Sequence, residues 1–170
     1  MSASGLDVFD RTLETTHIWL NEICNDIGPD KQVAWKVLST VLHKLRDRLT
    51  VNLAAHLGAQ LPLLVRGLYY DQWRPASGMR KDRRQDEFLA HVAEGLRNTR
   101  PVNTRDATRA VFAVMERHVT RGQIEKVISS LPHDIRSLWP AEAAPAAQPT
   151  TPASGNDMLA EINEAVSTED

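Results

Sequence analysis

One nine-residue pattern occurs twice in this chain and limits the folds that are open to it. Each copy begins with Leu-Pro, continues with a β-branched residue and an arginine, and ends on an aromatic residue, at residues 61–69 and 131–139. Proline fits the first turn of a helix, because its missing N–H would lack a partner there in any case. The pattern therefore predicts that one helix ends and another begins at Pro62, and again at Pro132.

The two copies belong to a longer internal correspondence. A shift of 70 residues places Thr50 on Thr120 and Arg66 on Arg136, whereas the preceding stretch needs a shift of 73, with residues 46–48 making up the difference. The correspondence predicts two four-helix repeats in tandem, at about 8–70 and 86–139. Since two copies are too few for a solenoid, we expect them to close against each other as one globular domain over 1–140.

Apolar residues at helical spacing predict an all-α fold throughout this domain. Trp19 and Trp35 fall at the edges of their apolar stripes, which predicts indole N–H groups that reach water. The apolar stripe of the first helix comprises Phe9, Leu13, Leu20, Ile23, Cys24 and Ile27. The predicted helix caps are Thr50, Asn103 or Thr104, and a capping box of Thr120 with Gln123.

Cysteine usage and hydropathy exclude several classes of protein. Cys24 is the only cysteine, which rules out an internal disulfide and a multi-cysteine metal site, and favours a reducing cytoplasm. Residues 1–7 lack the basic and apolar regions of a secretory signal. No apolar run approaches the roughly 20 residues that span a bilayer, so we expect no membrane insertion.

The first Leu-Pro element also carries a resemblance to a known family. It continues as Arg66-Gly67-Leu68-Tyr69-Tyr70-x-x-Trp73 after Ala59-Gln60-Leu61-Pro62, and the second copy ends Leu-Trp-Pro. Over about residues 6–140 the chain resembles the bacterial family catalogued as domain of unknown function 2267. The resemblance implies an all-helical fold, no established activity and no assigned site residues. One departure is Leu53, where the resemblance implies an acidic capping residue.

Catalytic and metal-binding patterns are weak. Glu14-x-x-His17 is the pairing that di-iron helical bundles use, but such a site needs a second copy, and Glu87 with His91 has the wrong spacing. The other histidines are scattered, and no Ser-His-Asp arrangement or glycine-rich phosphate loop stands out. We therefore expect a solvated helix edge at Glu14, no cofactor and no metal. These patterns support no enzymatic activity; a helical enzyme or ligand-binding protein with an unrecognised site is the alternative.

The residues of the repeated element predict a structural junction between helices. Its members are Pro62, Arg66 and Tyr69 in the first copy and Pro132, Arg136 and Trp139 in the second. Each arginine is expected to bond carboxylates or carbonyls at a helix end; an anion pocket shared by both is the alternative. Tyr69, Tyr70, Trp73 and Trp139 are interpreted as an aromatic cluster that closes the core.

A polar connector over 71–85 joins the two repeats. Its residues 74–84 hold five bases against one acid, including Arg80, Lys81, Arg83 and Arg84. The chain after Arg136 holds six acids and no base, so the body carries 22 − 6 = 16 acids against 20 bases, a net charge of +4. The connector is therefore a candidate contact for nucleic-acid phosphates or an acidic partner; a solvated loop is the plain alternative.

The last 30 residues change character. Residues 140–157 contain four prolines and six alanines, which predicts a Pro/Ala-rich linker over 141–157. Helical spacing returns in an acidic segment over 158–170, whose predicted partner-binding residues are Met158, Leu159, Ile162 and Val166. A short segment of this kind is typical of a docking peptide. The resulting hypothesis is a cytosolic, non-enzymatic interaction module whose terminal segment docks on a protein partner; it could instead fold back on the basic connector, or be a frayed end.

Overall fold

A computed structural model describes residues 3–140, and within that range every regular element is helical. The prediction of an all-α fold is confirmed. The α-helices are α1 (Asp7–Ile27), α2 (Lys31–Arg46), α3 (Val51–Ala59), α4 (Leu63–Tyr70), α5 (Gln85–Gly95), α6 (Thr104–His118), α7 (Arg121–Ser130) and α8 (His133–Arg136). A 3₁₀ turn at Pro75–Ser77 lies in the connector between α4 and α5.

Side-chain caps fix several helix starts. The Asp30 carboxylate accepts hydrogen bonds from Gln32 N at 2.9 Å and Val33 N at 3.3 Å, directly after Gly28 ends α1 with φ 116°. Thr50 Oγ1 accepts from Leu53 N at 3.2 Å, and Asn103 Oδ1 accepts from Asp106 N at 3.0 Å, as predicted. Such caps satisfy backbone N–H groups that the first helical turn leaves without a partner.

The predicted capping box at Thr120 is wrong. The Thr120 side chain caps no backbone N–H of α7. Its own backbone N–H instead donates to Gln60 Oε1 at 3.0 Å, which joins the start of α7 to the end of α3. A tertiary partner has therefore taken the place of the local one.

The buried apolar residues form one cluster that draws on both predicted repeats. Helices α1 and α2 both pack against α6, and α3 packs against α7. The prediction that the Trp19 N–H reaches water is wrong: Trp19 is 1% exposed, and its Nε1 finds no partner among the described residues. The cause is α6, whose His118 ring stacks on the indole with 5.4 Å between centroids.

The first half of α1 does not enter this core. Phe9 and Leu13, expected on the buried stripe, are 49% and 46% exposed. Helix α1 has 21 residues, whereas α2 and α6, which pack against it, have 16 and 15. At 1.5 Å per residue α1 is about 8–9 Å longer than either, so the apolar spacing continues beyond the helices that bury it.

Helix order follows the correspondence seen in the sequence, with unequal lengths. Helices α2 and α6 have 16 and 15 residues, and α3 and α7 have 9 and 10. In contrast, α1 has 21 residues and α5 has 11. The tandem-repeat interpretation stays a prediction on these grounds.

Candidate anion-binding cleft

The arginine of each Leu-Pro element caps the end of the preceding helix. Arg66 donates to the carbonyls of Gly58, Ala59 and Leu61, each at 3.0 Å. Arg136 donates in the same register, to Ser129 O at 2.8 Å and Leu131 O at 2.7 Å. The last carbonyls of a helix lack intrahelical donors and carry the negative end of its dipole, so a guanidinium suits them.

The aromatic residues of the two elements lie in separate places. Tyr69 is fully buried and its hydroxyl donates to Ala54 O at 2.7 Å; burial raises the pKa of this phenol. Tyr70 contacts Tyr69 and Trp73, with ring centroids 5.0 Å and 5.6 Å apart. Trp139 instead stacks on Phe112 at 4.2 Å. The four residues therefore do not contact one another as one aromatic group, because Trp139 packs against α6, but all four lie in or against the hydrophobic core, as the interpretation expected.

Two buried arginines at the end of α2 were missed by sequence reasoning. Arg46 donates to Tyr69 O at 2.6 Å and Asp71 O at 3.0 Å, which ties α2 to the end of α4. Arg48 donates to Lys44 O and to Asp82 Oδ2, each at 2.7 Å, and its guanidinium lies 4.5 Å from the centroid of the Phe88 ring. Both arginines fall in 46–48, the stretch in which the two predicted repeats differ in length. That difference in length is the sequence feature that could have pointed to them.

The connector is fastened to the body at alternate residues. Arg80 donates its backbone N–H to Asp47 O at 2.8 Å, and its guanidinium lies 3.2 Å from His91 Nε2. Asp82 pairs with Arg48 at 2.7 Å and with His91 at 3.0 Å. The intervening Lys81 and Arg83 are exposed and make no hydrogen bond or ion pair to any described residue.

Arg84, the fourth predicted connector base, is already engaged. Its guanidinium pairs with Asp86 at 3.0 Å, and both side chains are largely exposed. Within residues 3–140 the structure thus separates the four bases into two that are engaged, at 80 and 84, and two that make no hydrogen bond or ion pair, at 81 and 83.

Three of these bases, Arg80, Lys81 and Arg83, line a cleft of about 650 Å³ between the connector and the α7–α8 junction, whereas Arg84 does not. Its volume is in the range of ordinary ligand sites. The lining residues are Arg48, Met79, Arg80, Lys81, Asp82, Arg83, Ser130, Leu131, Pro132, His133 and Arg136. Five bases stand against one acid, so the lining carries 5 − 1 = +4 with His133 neutral. Arg136 of the second Leu-Pro element lies here, whereas Arg66 does not.

One corner of the cleft is short of acceptors. Arg48 is 3% exposed, and burial lowers the pKa of its guanidinium while Asp82 opposes that shift. Its Nε has no hydrogen-bond partner among residues 3–140. Asp82, the single carboxylate of the lining, pairs with Arg48 and with His91 through the same oxygen, Oδ2, and the other four cations of the lining have no second acid within it.

A second surface is apolar. Phe9, Trp35, Leu63, Leu64 and Leu68 line an open groove of about 560 Å³ between α1, α2 and α4, together with Thr12, Gly67 and Asp71. Its lining holds one acid and no base. The groove includes Phe9, which lies in the exposed first half of α1. The sequence had predicted that this side chain is buried, and that prediction is wrong.

The residues weighed as a metal pair, Glu14 and His17, lie within the described part of the chain, whereas the predicted tail lies outside it. Glu14 and His17 are both exposed on α1, and no group of three or more His, Cys, Asp or Glu side chains that could hold a metal occurs within residues 3–140. None of the described helices has the length and apolar character needed to cross a bilayer. The predicted linker 141–157 and the segment 158–170, with Met158, Leu159, Ile162 and Val166, lie outside the described residues.

Comparison with protein-family models identifies a family for this chain. A family model described as "Uncharacterized conserved protein (DUF2267)" matches residues 16–138, which covers most of the helical body. The resemblance predicted from the Leu-Pro elements is confirmed. No curated protein sequence matches the chain.

Proposed function

The chain belongs to that family, and we propose that it is a non-enzymatic interaction module whose basic cleft takes up an acidic protein segment. The observation that carries this proposal is the charge of the cleft. Four cations, Arg80, Lys81, Arg83 and Arg136, remain in the lining after Asp82 has compensated Arg48. A carboxylate-rich ligand would supply the counter-charge that the lining lacks, and would do so with bidentate geometry at the arginines.

The shape and chemistry of the lining favour a polypeptide. Met79 is 49% exposed and Pro132 is half-buried, so apolar contacts are available beside the cations. The lining contains no Phe, Tyr or Trp side chain, whereas single-stranded nucleic acids are held by stacking of their bases on such aromatic rings.

Nucleic-acid binding through the same connector is the second candidate. It is favoured by Lys81, Arg83 and Arg84, which are all exposed and lie within four residues of one loop. Phosphate contacts of this kind would weaken steeply with salt. This candidate needs only the loop, whereas the peptide proposal also needs the α7–α8 wall.

The remaining parts of the sequence-based hypothesis belong to the same proposal. The module acts in a bacterial cytoplasm, a placement supported by the lone Cys24. A partner is also recruited through the acidic segment 158–170. Deletion of 141–170 should then reduce recovery of the bound partner; unchanged recovery would remove the tail from the proposal while leaving the cleft untouched.

The cleft is tested with a fluorescein-labelled peptide of alternating glutamate and leucine and the full chain, followed by fluorescence anisotropy. Lys81→Glu/Arg83→Glu should weaken binding about tenfold or more, because it replaces two attractive charges of the lining by repulsive ones. A tenfold change corresponds to about 1.4 kcal/mol. The matched control is Lys36→Glu/Arg109→Glu, which reverses two exposed bases that make no hydrogen bond or ion pair to residues 3–140.

Two outcomes would count against the peptide proposal. Equal losses in both double variants would show a nonspecific response to net charge. No binding of the peptide, together with binding of a labelled 20-nucleotide DNA strand that Lys81→Glu/Arg83→Glu abolishes, would favour the nucleic-acid alternative. Circular dichroism of each variant checks that the helical body is retained.

A further inference from the structure

We propose that the acidic C-terminal segment of this chain, residues 157–170, occupies the basic cleft of its own body and competes there with an external ligand. This inference rests on the proposed function, because it assigns a regulator to the same cleft. The sequence left three alternatives open for the segment: docking on a protein partner, folding back on the basic connector, or a frayed end. The position of α8 and the charges of the cleft and of the apolar groove favour the second.

The chain leaves the body beside the cleft. Helix α8 spans His133–Arg136, and both of these residues line the cleft. Pro140, the last described residue, follows Arg136 by four positions, which is at most about 14 Å of chain. The linker to the acidic segment therefore starts within about 14 Å of a residue that lines the cleft, and such a tether raises the effective concentration of a weak ligand, to the millimolar range when the linker is short and flexible.

Charge makes the segment and the cleft complementary. After Arg136 the chain holds six acids and no base, and five of the six lie at 157–170: Asp157, Glu161, Glu164, Glu169 and Asp170. The cleft lining carries +4, and two of its cations, Lys81 and Arg83, have no partner among the described residues. Opposite charges in a partly enclosed cleft are screened less than on an open surface.

The charge of its lining makes the apolar groove at α1, α2 and α4 a less favourable docking surface for the acidic segment than the cleft. Residues 141–157 extend up to about 60 Å, so their reach alone does not select a site on a body of this size. The apolar groove at α1, α2 and α4 would suit Met158, Leu159 and Ile162, but its lining carries one acid and no base. An acidic segment is repelled there and attracted to the cleft, where Met79 and Pro132 still offer apolar contact.

The experiment neutralises the segment within the full chain. Glu161→Gln/Glu164→Gln/Glu169→Gln/Asp170→Asn removes four charges without shortening the chain, and Ser167→Ala/Thr168→Ala is the matched control in the same segment. The amide ¹H–¹⁵N resonances of 79–84 should shift on neutralisation and not in the control. The same variant should bind the labelled Glu/Leu peptide at least fivefold more tightly than the parent chain, and the difference should vanish in 0.5 M NaCl.

The outcomes separate this inference from the proposed function. If the peptide binds in the cleft but neutralisation shifts no resonance of 79–84 and leaves affinity unchanged, the inference is overturned and the proposed function stands. Shifts at Leu64 and Gly67 instead would place the segment in the apolar groove and overturn it as well. If neutralisation shifts 79–84 but the peptide binds no variant, the cleft is an intramolecular contact and the proposed function fails. Shifts that depend on protein concentration would mark an exchange between chains, against the tethered contact.

Discussion

Arg48 shows how one residue links three elements. It is buried at the end of α2, pairs with Asp82 of the connector, and lies over the Phe88 ring of α5. A buried guanidinium is tolerable only while its charge is compensated and most of its donors are used. The position of the connector, and with it one wall of the cleft, therefore depends on a side chain that no site motif marks.

Replacing Arg48 by methionine should lower the free energy of unfolding by about 2–4 kcal/mol, because breaking a buried pair leaves its partners unsatisfied. The partner Asp82 keeps 27% side-chain exposure, which favours the lower end of that range. Urea titration of Arg48→Met and Asp82→Asn measures the two losses. A loss below about 0.5 kcal/mol for Arg48→Met would contradict the role assigned to it.

His43 gives the unfolding free energy a pH dependence with a defined sign. Burial lowers the pKa of its imidazole, against a hydrogen bond from the ring to Leu68 O at 2.7 Å. Below the unfolded pKa of about 6.5, the unfolded chain takes up a proton more readily than the folded one. Stability contributed by the neutral ring is therefore present above that pH and declines as the pH falls through about 6.5 toward the lower folded value.

The His43→Gln variant isolates this contribution, since an amide can still donate to Leu68 O. The parent chain should lose more unfolding free energy than the variant between pH 7.5 and pH 5.5, measured by urea titration at constant ionic strength. Parallel pH profiles for the two proteins would show that His43 is not the source. The comparison is needed because His91 and His118 also contact carboxylates.

At the scale of single elements, packing requires the glycine of α3 but not the glycine of α4. A Cβ at Gly58 would lie 2.6 Å from Tyr70 Cζ and 3.0 Å from Tyr69 Cε1, so α3 needs glycine to let α4 approach. A Cβ at Gly67 of α4 would meet nothing within 4 Å, and its φ is not positive. Glycine inside a helix costs about 0.5–1 kcal/mol relative to alanine, and no packing contact among the described residues offsets that cost at Gly67.

Alanine substitutions at the two glycines should have opposite signs. Gly67→Ala should raise the unfolding free energy by about 0.5–1 kcal/mol. Gly58→Ala should lower it by about 1–3 kcal/mol, the range for overpacking a filled site, and should displace Tyr70, whose hydroxyl donates to Ala55 O at 3.2 Å. Guanidinium titrations give both values, and equal signs would contradict the packing described for α3 and α4.

At the scale of the whole molecule, the two predicted repeats share one core. Helix α6 of the second segment packs against α1 and α2 of the first. His118 of α6 stacks on Trp19 and also lies 2.8 Å from Glu22 Oε2, so α1 and α6 are joined by ring contact and by a polar contact. Neither segment could be removed without exposing the buried face of the other.

The body should accordingly unfold as one cooperative unit. Tryptophan fluorescence reports on all four tryptophans, of which Trp19 and Trp139 are buried in different predicted repeats, and far-UV circular dichroism reports on all helices. The two urea transitions should coincide, with equal midpoints and slopes. Separate midpoints would show that one segment remains folded after the other has opened, contrary to the shared core.

The sequence by itself determined the helical class, the breaks at Pro62 and Pro132, the cap at Thr50, a cap at 103 or 104, and membership of the family, because each depends on contacts within a few residues or on a motif. Only the tertiary structure decided which apolar residues are covered, since the burial of Trp19 and the exposure of Phe9 depend on where α6 and its neighbours end. The same holds for the candidate site: the basic residues of the connector were visible in the sequence, but the cleft required Arg48 and the α7–α8 junction, which lie over 30 and about 50 residues away along the chain. The spacing of residues along the chain does not show which charged side chains will meet across such a separation. It therefore does not show which charges are neutralised.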